Sequence, residues 1–300
     1  MSKKLKSLSV CIVGKPNAGK STLTNAILGE KLSIVTPKVQ TTRSIITGIV
    51  TIDDTQLVLF DTPGIFEAKK KLEKAMVSCA WSSLSSADIV AIIIDSSSKL
   101  DIKLQSIIEK VASFNMDIVF LMNKIDVPSK HYIDNLMFVQ KIMPKARIFN
   151  ISALKEKNIG EFTQYLKTIA KSNGWLYERD ELTNLPSRFL ATEITREQLF
   201  LQLHEEIPYN LTVEYEKWEE QGDGSVKINQ VIIVNKAIHK NMIIGKKGAR
   251  IKEIGSKARI NIEKLIGKKT HLFLFVKVRE NWEDDPHMYH NMGLTYKKKD

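Results

Sequence analysis

The first 170 residues alternate short apolar runs with stretches of helical character. The runs SVCIVG, LVLFD, DIVAIIID, DIVFLMNK and ARIFNISA are each long enough for one strand and carry few polar side chains. Strands that are apolar on both faces are typical of parallel sheets covered by helices on both sides. The pattern therefore predicts a doubly wound, mainly parallel α/β domain over residues 1–170.

The pattern changes after a polar, irregular stretch, residues 171–186, which is typical of a linker. A helical stretch from Ser187 to Glu206 comes next, followed by the alternating strands LTVEYEKW and VKINQVIIV. Two helical stretches then flank Gly245–Gly248, and the alternating run THLFLFVKV follows them. This order predicts a smaller α+β domain over residues 187–279, with a C-terminal tail over residues 280–300.

The first chemical motif is GKPNAGKS, at Gly14–Ser21, which fits the phosphate-binding pattern G-x-x-x-x-G-K-[ST]. An apolar strand precedes it and a helical stretch follows it, which favours a phosphate site over a chance glycine-rich turn. Glycines let backbone N–H groups surround phosphates, Lys20 can reach the β and γ oxygens, and Ser21 can offer a hydroxyl to Mg²⁺. The motif predicts a P-loop nucleotide site.

Three further motifs each follow a later predicted strand. Asp61 of DTPG is placed to hold Mg²⁺, and the Gly64 N–H to touch the γ-phosphate. Asp126 of NKID can accept hydrogen bonds from guanine N1–H and N2–H₂, a donor pair that adenine lacks, so it favours GTP over ATP. The Ala153 N–H of ISA is placed to meet guanine O6. Together the motifs predict a guanine nucleotide site.

Two positions bear on hydrolysis. Thr41 and Thr42 lie in a polar stretch before the second strand, and either could bring a hydroxyl to Mg²⁺ when a γ-phosphate is present. Ile65 follows DTPG, where many GTPases carry a glutamine that orients the attacking water. Since an aliphatic side chain cannot do this, the sequence predicts slow intrinsic hydrolysis.

The predicted contacts to nucleotide, all from these four motifs, are Gly14, Lys15, Pro16, Asn17, Ala18, Gly19, Lys20, Ser21, Asp61, Thr62, Pro63, Gly64, Asn123, Lys124, Ile125, Asp126, Ser152 and Ala153.

The second half carries a nucleic-acid signal. The net charge of the chain is +11, and residues 224–279 alone hold 14 lysines and arginines against two acidic residues, a net charge of +12. Within this segment, IIGKKG places two glycines, Gly245 and Gly248, around Lys246 and Lys247, with Arg250 just beyond. Such a GxxG loop between two helices lets a nucleic-acid backbone approach closely and meet cationic side chains. We predict that these five residues bind RNA, while an ordinary solvated helix face is the alternative for the lysines.

From Leu8 to about Val278 the chain resembles the Era family of bacterial ribosome-assembly GTPases. The matching text is GKPNAGKSTLTNAILGEKLSIVTPKVQTTR, LFDTPGIF, NKID, ISAL, EITREQLFLQLHEEIPYNLTVEYEKW and IIGKKGARIKEIG. The resemblance implies a GTPase domain followed by a type II KH domain. It implies catalytic roles for Lys20, Thr42 and Gly64, a Mg²⁺ site at Ser21, Thr42 and Asp61, and a K⁺ ligand in Asn17.

The resemblance also implies a partner and a place in the cell. The partner is the small ribosomal subunit, bound through its ribosomal RNA near the 3′ end, and the protein is expected to be a monomer. It implies a cytoplasmic protein that can associate peripherally with the inner membrane. The alternative is a metabolic or membrane-linked GTPase whose basic domain is only a charged surface. An RNA-binding scaffold with an inactive nucleotide site is less consistent with the intact Lys20, Ser21, Asp61 and Asp126.

Overall fold

The structure, a computed structural model, describes residues 4–114 and 116–296. These residues form two compact units, each with most of its contacts within itself. The first contains the residues up to Ser33, then Thr42–Asn184, and the residues from Met292 onward. The second contains Ile34–Thr41 and Leu185–Asn291.

The first unit is built on a six-stranded sheet in the order β2-β3-β1-β4-β5-β6. All neighbours are parallel except β2, which is antiparallel to β3. The mainly parallel sheet predicted from the apolar runs is confirmed, and β2 is a strand that those five runs did not include. The strands are β1 (Lys6–Val13), β2 (Ile46–Ile52), β3 (Thr55–Asp61), β4 (Ile89–Asp95), β5 (Asp117–Asn123) and β6 (Arg147–Asn150).

Among the described residues of this unit, four α-helices lie between the strands and a fifth follows β6. They are α1 (Lys20–Leu28), α2 (Lys71–Ser82), α3 (Ile102–Ala112), α4 (Tyr132–Ile142) and α5 (Ile159–Ile169). Most of β4 and β5 is buried, because apolar side chains leave both faces of these strands and pack under the helices. The polar motifs follow β1, β3, β5 and β6 directly, so they meet at the carboxyl edge of the sheet, where ligands bind in this type of fold.

Of the predicted linker, residues 171–186, the part up to Asn184 belongs to the first unit and is held along it by hydrogen bonds. Lys171 exchanges two with Ser7, of 3.0 and 3.1 Å, and the Leu182 carbonyl accepts one of 2.8 Å from Ile49. The buried amide of Gln56 accepts from the backbone N–H groups of Leu176 and Tyr177 at 2.9 and 3.0 Å. The segment looks irregular in sequence because its partners, backbone groups and the Gln56 side chain, are far away in the chain and leave no local periodicity.

The second unit has a three-stranded sheet in the order β7-β8-β9, with β7 antiparallel and β9 parallel to β8. Its elements are α6 (Ser187–Gln202), β7 (Leu211–Glu220), β8 (Val226–Val234), α7 (Ala237–Ile244), α8 (Ala249–Ile266), β9 (Thr270–Val278) and α9 (Pro286–Asn291). The two apolar clusters of this unit join one face of the sheet to α6, α7 and α8. The predicted smaller α+β domain is thereby confirmed.

The apolar side chains of α8 recur at helical spacing and face the core. Ile254, Ala258 and Ile262 are buried in the core, and Ile251 and Leu265 pack against it in part. Among the described residues, no helix is long and apolar enough to cross a membrane. Within the same ranges, no group of three or more histidine, cysteine or acidic side chains is placed to hold a metal ion.

Candidate nucleotide site and nucleic-acid surface

The loop from Gly14 to Gly19 turns tightly from β1 into α1. Gly19, at φ 102°, lies where a Cβ would come within 2.2 Å of Asn123 Nδ2, so a side chain is excluded both by backbone conformation and by space. Lys20 begins α1, and its buried ammonium donates to the carbonyls of Lys15 at 2.9 Å and Gly14 at 3.3 Å. The loop therefore curls around the Lys20 ammonium, whose positive charge suits a phosphate site.

Burial governs the ionisation of the two charged groups in this cradle. Burial lowers the pKa of Lys20 to about 8, and Asp61 offsets this only in part. Burial likewise raises the pKa of Asp61, although the Ser21 hydroxyl and the Lys20 ammonium oppose the change. Each group would be more fully ionised with a counter-charge beside it, an anion for Lys20 and a cation for Asp61.

Ser21, Thr42 and Asp61 form the oxygen-rich corner of the site. The Ser21 and Thr42 hydroxyls lie 2.9 Å apart, and Thr42 is buried. Both carboxylate oxygens of Asp61 are buried without a hydrogen bond of normal geometry within the described chain. The Thr41 hydroxyl is instead bonded to Thr36 Oγ1 and to the carbonyl of Lys38, both at 2.8 Å. Of the two candidate threonines, Thr42 is the one beside Ser21.

The DTPG turn is fixed against the P-loop. The Thr62 hydroxyl donates to the Ile12 carbonyl at 2.7 Å, and the Ile65 N–H donates to the Gly14 carbonyl at 3.0 Å. A Cβ on Gly64 would lie 2.7 Å from the Pro16 nitrogen, so this glycine permits the close approach of the two loops. The Ile65 side chain is buried in the core, which removes it from any role in orienting water.

Asn123 joins three of the motifs. Its amide donates to the Ala18 carbonyl at 2.7 Å and accepts from the Ala153 N–H at 2.9 Å. The residue thus ties the P-loop and the ISA turn to the end of β5. The predicted contact of the Ala153 N–H with guanine O6 stays a prediction, and it requires this N–H to be shared with Asn123.

Asp126 and Lys124 lie beside that junction. The Ser152 hydroxyl is the main influence that lowers the pKa of Asp126, so its side chain remains a carboxylate. Its Oδ1 is buried and has no hydrogen-bond partner within the described residues. Lys124 forms an ion pair of 2.6 Å with Asp95. The Asp126 carboxylate can therefore accept hydrogen bonds from a planar base that has two adjacent donors, as guanine does.

The GxxG loop of the second unit has the geometry of a backbone-binding turn. Gly245 and Gly248 both have positive φ, 71° and 77°, and a Cβ on Gly245 would lie 2.8 Å from Arg250 Cβ. The space around Gly248 is open, so a phosphate group can approach its backbone. The Arg250 guanidinium donates to the Met242 carbonyl at 2.7 Å, which fixes it across the loop. Lys246 and Arg250 line a cavity of about 430 Å³ beside the loop.

Known proteins match both units. The model of the 50S ribosome-binding GTPase family matches residues 9–124, and that of the KH domain family matches residues 206–283. A GTPase Era of Rickettsia conorii is 57% identical over 289 residues, which cover 96% of this chain and 85% of that protein. The chain belongs to the Era family of GTPases.

Two solved structures of Era match nearly the whole of this chain. One is Era in complex with MgGDPNP and nucleotides 1506–1542 of 16S ribosomal RNA, and another is a variant of Aquifex aeolicus Era bound to GDP and AlF₄⁻. Each is 36% identical to this chain with a TM-score of 0.91, over 96% of this chain and 99% of the other. The predicted family is confirmed, and with it the GTPase activity and the succession of GTPase and KH domains.

In this Era-family GTPase, sequence reasoning missed an ion pair at the P-loop. The Lys15 ammonium pairs with Asp101, whose other carboxylate oxygen caps α3 by accepting from the Leu104 N–H at 2.9 Å. Lys15 lies inside a recognised motif, but its partner lies 86 positions away. No local signal in the sequence could have joined the two residues.

Proposed function

We propose that this Era-family GTPase is a GTP-dependent, RNA-binding switch that assists assembly of the small ribosomal subunit. It binds small-subunit ribosomal RNA near the 3′ end through its KH domain. The observation that carries this proposal is the likeness, over nearly the whole chain, to an Era whose structure holds both MgGDPNP and a 3′ fragment of 16S ribosomal RNA. Both the nucleotide cradle and the GxxG loop of that architecture are present in this chain.

The nucleotide site fits Mg²⁺ and a guanine nucleotide. Mg²⁺ prefers oxygen ligands, and the buried carboxylate of Asp61, which has no hydrogen bond of normal geometry within the described residues, lies beside the Ser21 and Thr42 hydroxyls. These three side chains would hold the ion, which supplies positive charge to the phosphate oxygens. We assign the base to Asp126 and a K⁺ contact to Asn17, which has the positive φ of 61° in the turn of the P-loop.

The chain's own residues would lower the barrier to hydrolysis mainly through electrostatics. Lys20 places its ammonium against the β and γ phosphate oxygens, and the Gly64 N–H and Thr42 lie at the γ end. Since Ile65 is buried and apolar, no side chain at that position orients the attacking water. Intrinsic turnover should therefore be slow, below about 1 s⁻¹, and should rise when RNA or the small subunit binds.

The segment before Thr42 links the nucleotide site to the KH domain along the chain. Residues Ile34–Thr41 group with the second unit, where the Val35 N–H donates to the buried carboxylate of Glu197 at 2.9 Å and Lys38 donates to the Phe200 carbonyl. Thr42 itself bonds to Ser21. A γ-phosphate that reorders Thr42 would therefore act on the chain that contacts α6.

RNA binding is the test of the proposal. The full chain is titrated with an RNA that matches the 3′ end of small-subunit ribosomal RNA, in the presence of GDP and of a non-hydrolysable GTP analogue. Gly248→Asp places a carboxylate and a side chain at φ 77°, where phosphate must approach, so RNA affinity should collapse while GTP affinity is unchanged. Equal RNA affinity of wild type and Gly248→Asp would refute the KH assignment.

Comparing the RNA titrations in GDP and in the GTP analogue tests whether nucleotide binding and RNA binding are coupled. If GTP tightens RNA binding by some factor, RNA must tighten GTP binding by that same factor. Equal RNA affinity with both nucleotides would leave two functional domains without a switch. We further propose that the protein acts as a cytoplasmic monomer, whose net charge of +11 provides for peripheral association with the anionic inner membrane.

A further inference from the structure

Ser33 lies beside the nucleotide site but belongs to none of the four nucleotide motifs. It is 1% exposed, and its hydroxyl has no hydrogen bond of normal geometry within the described residues. A buried hydroxyl without a partner costs free energy and is uncommon in folded proteins. Such a group is explained when it gains its partner in the ligand-bound state of the protein.

The backbone around Ser33 is fixed by a side chain of α1. Asn25 Oδ1 accepts from the N–H groups of Leu32 and Ser33 at 3.0 and 2.8 Å, and Asn25 Nδ2 donates to the Ser33 carbonyl at 2.8 Å. Asn25 lies four residues after Ser21 on α1, so the two side chains lie on the same face of the helix. The three bonds therefore hold Ser33 on the side of α1 that carries the Ser21 hydroxyl.

The partner that Ser33 can reach from there is the Asp61 carboxylate. Burial raises the pKa of Asp61, and the Ser21 hydroxyl, the Lys20 ammonium and the Ser33 hydroxyl oppose this change. Asp61 is fully buried and, like Ser33, has no hydrogen bond of normal geometry within the described residues. A donor and an acceptor that can satisfy each other are thus close together but not yet bonded.

Nucleotide binding would leave Ser33 as the donor that remains for Asp61. In the proposed site, the Lys20 ammonium is directed to phosphate oxygens and the Ser21 hydroxyl oxygen to the metal ion. Neither assignment uses the Ser33 hydroxyl, and the backbone of Ser33 is already engaged by Asn25. Carboxylates that serve a metal ion are commonly oriented by a hydrogen bond from a residue behind them.

We propose that Ser33 is a positioning residue of the Mg²⁺ site, whose hydroxyl donates to the Asp61 carboxylate when Mg²⁺ and nucleotide are bound. The proposal rests on the Mg²⁺ site proposed for Ser21, Thr42 and Asp61. One carboxylate oxygen is held by Ser33, and the other stays available to the ion or to its water. Without this donor the ion should be held less tightly, while the phosphate contacts of Lys20 and the P-loop backbone are kept.

The test separates the Mg²⁺-dependent part of nucleotide binding from the rest. The affinity of the full chain for a non-hydrolysable GTP analogue is measured at a series of Mg²⁺ concentrations and in EDTA. The Mg²⁺ requirement is the concentration at which the effect of the metal is half complete. In Ser33→Ala this requirement should rise about 10- to 100-fold, the range for loss of a partner behind a metal ligand. Affinity in EDTA should be unchanged.

The variant is expected to keep its fold. All three bonds to Asn25 use the backbone of Leu32 and Ser33, which alanine retains, and urea unfolding checks this directly. Ser7→Ala is the matched control, because Ser7 is also 1% exposed but lies at the start of β1, where its hydroxyl donates to Asn173 at 2.8 Å. It should change neither the Mg²⁺ requirement nor the affinity in EDTA.

Two results would overturn the inference. A wild-type Mg²⁺ requirement in Ser33→Ala would show that Asp61 needs no donor at this position. Equal weakening of nucleotide binding with Mg²⁺ and with EDTA would show that Ser33 only supports the fold of its segment. Asp61→Asn tests the Mg²⁺ site separately: if this variant keeps the wild-type Mg²⁺ requirement, the proposed site fails and the role of Ser33 fails with it.

Discussion

Protonation of Lys20 should be coupled to nucleotide binding. In the nucleotide-free protein, burial lowers the pKa of this lysine to about 8, whereas an unfolded lysine titrates near 10.5. Nucleotide phosphates supply the missing counter-charge and should raise the pKa again. Binding should therefore take up a proton wherever the free protein has lost it and the complex has not, from about pH 8 up to the raised pKa of the complex.

The magnitude follows from the fraction of neutral Lys20. With a pKa of about 8, about a tenth of the molecules have lost this proton at pH 7 and about three quarters at pH 8.5. GDP should therefore bind with uptake of about 0.1 proton per site at pH 7 and about 0.8 at pH 8.5. By the same linkage, the free energy of unfolding of the nucleotide-free protein should rise with pH across the window from 8 to 10.5, because there the unfolded state holds more protons.

Calorimetric titration with GDP, in pairs of buffers that differ in ionisation enthalpy, measures this uptake. Mg²⁺ is left out, because burial also raises the pKa of Asp61 and a bound metal ion would release protons from it. Lys20→Arg is the control, since its guanidinium stays charged at these pH values and its binding should take up no proton at pH 8.5. Equal uptake by wild type and Lys20→Arg at pH 8.5 would show that Lys20 is not the titrating group.

Three further predictions concern the same site. Asp126→Asn should weaken GTP binding more than about a hundredfold and strengthen the binding of xanthine nucleotides. Equal affinities of the wild type for ATP and GTP, measured by calorimetry, would disprove the base assignment. Asn123→Ala leaves the Ala18 carbonyl and the Ala153 N–H without these partners, so the free energy of unfolding measured in urea should fall by about 2–4 kcal/mol. An unchanged urea midpoint would contradict the role of Asn123 as a junction. Hydrolysis should be faster in K⁺ than in Na⁺ through Asn17, and identical rates across concentrations would remove that ligand.

The sequence determined the parts of this protein that are local in the chain. Buried parallel strands appear as continuous apolar runs, and the bounds of β8 and β9 coincide with the alternating runs VKINQVIIV and THLFLFVKV. The phosphate loop and the GxxG turn were recognisable because both need glycine at fixed spacing, and the structure gives Gly19, Gly245 and Gly248 positive φ. Residues that act within a few positions of each other leave a signal that can be read directly.

Tertiary structure decided everything that depends on partners far away in the chain. Only the packing of strand ends brings Asn123 to Ala18 and Ala153, pairs Lys15 with Asp101, and places Thr42 rather than Thr41 beside Ser21. The irregular segment after Lys171 is ordered by the backbone of β1 and β2, and a one-residue alternation decides that Phe273 faces solvent while Leu274 faces the core. Hydrogen bonds and burial depend on distance in space, and a sequence records only distance along the chain.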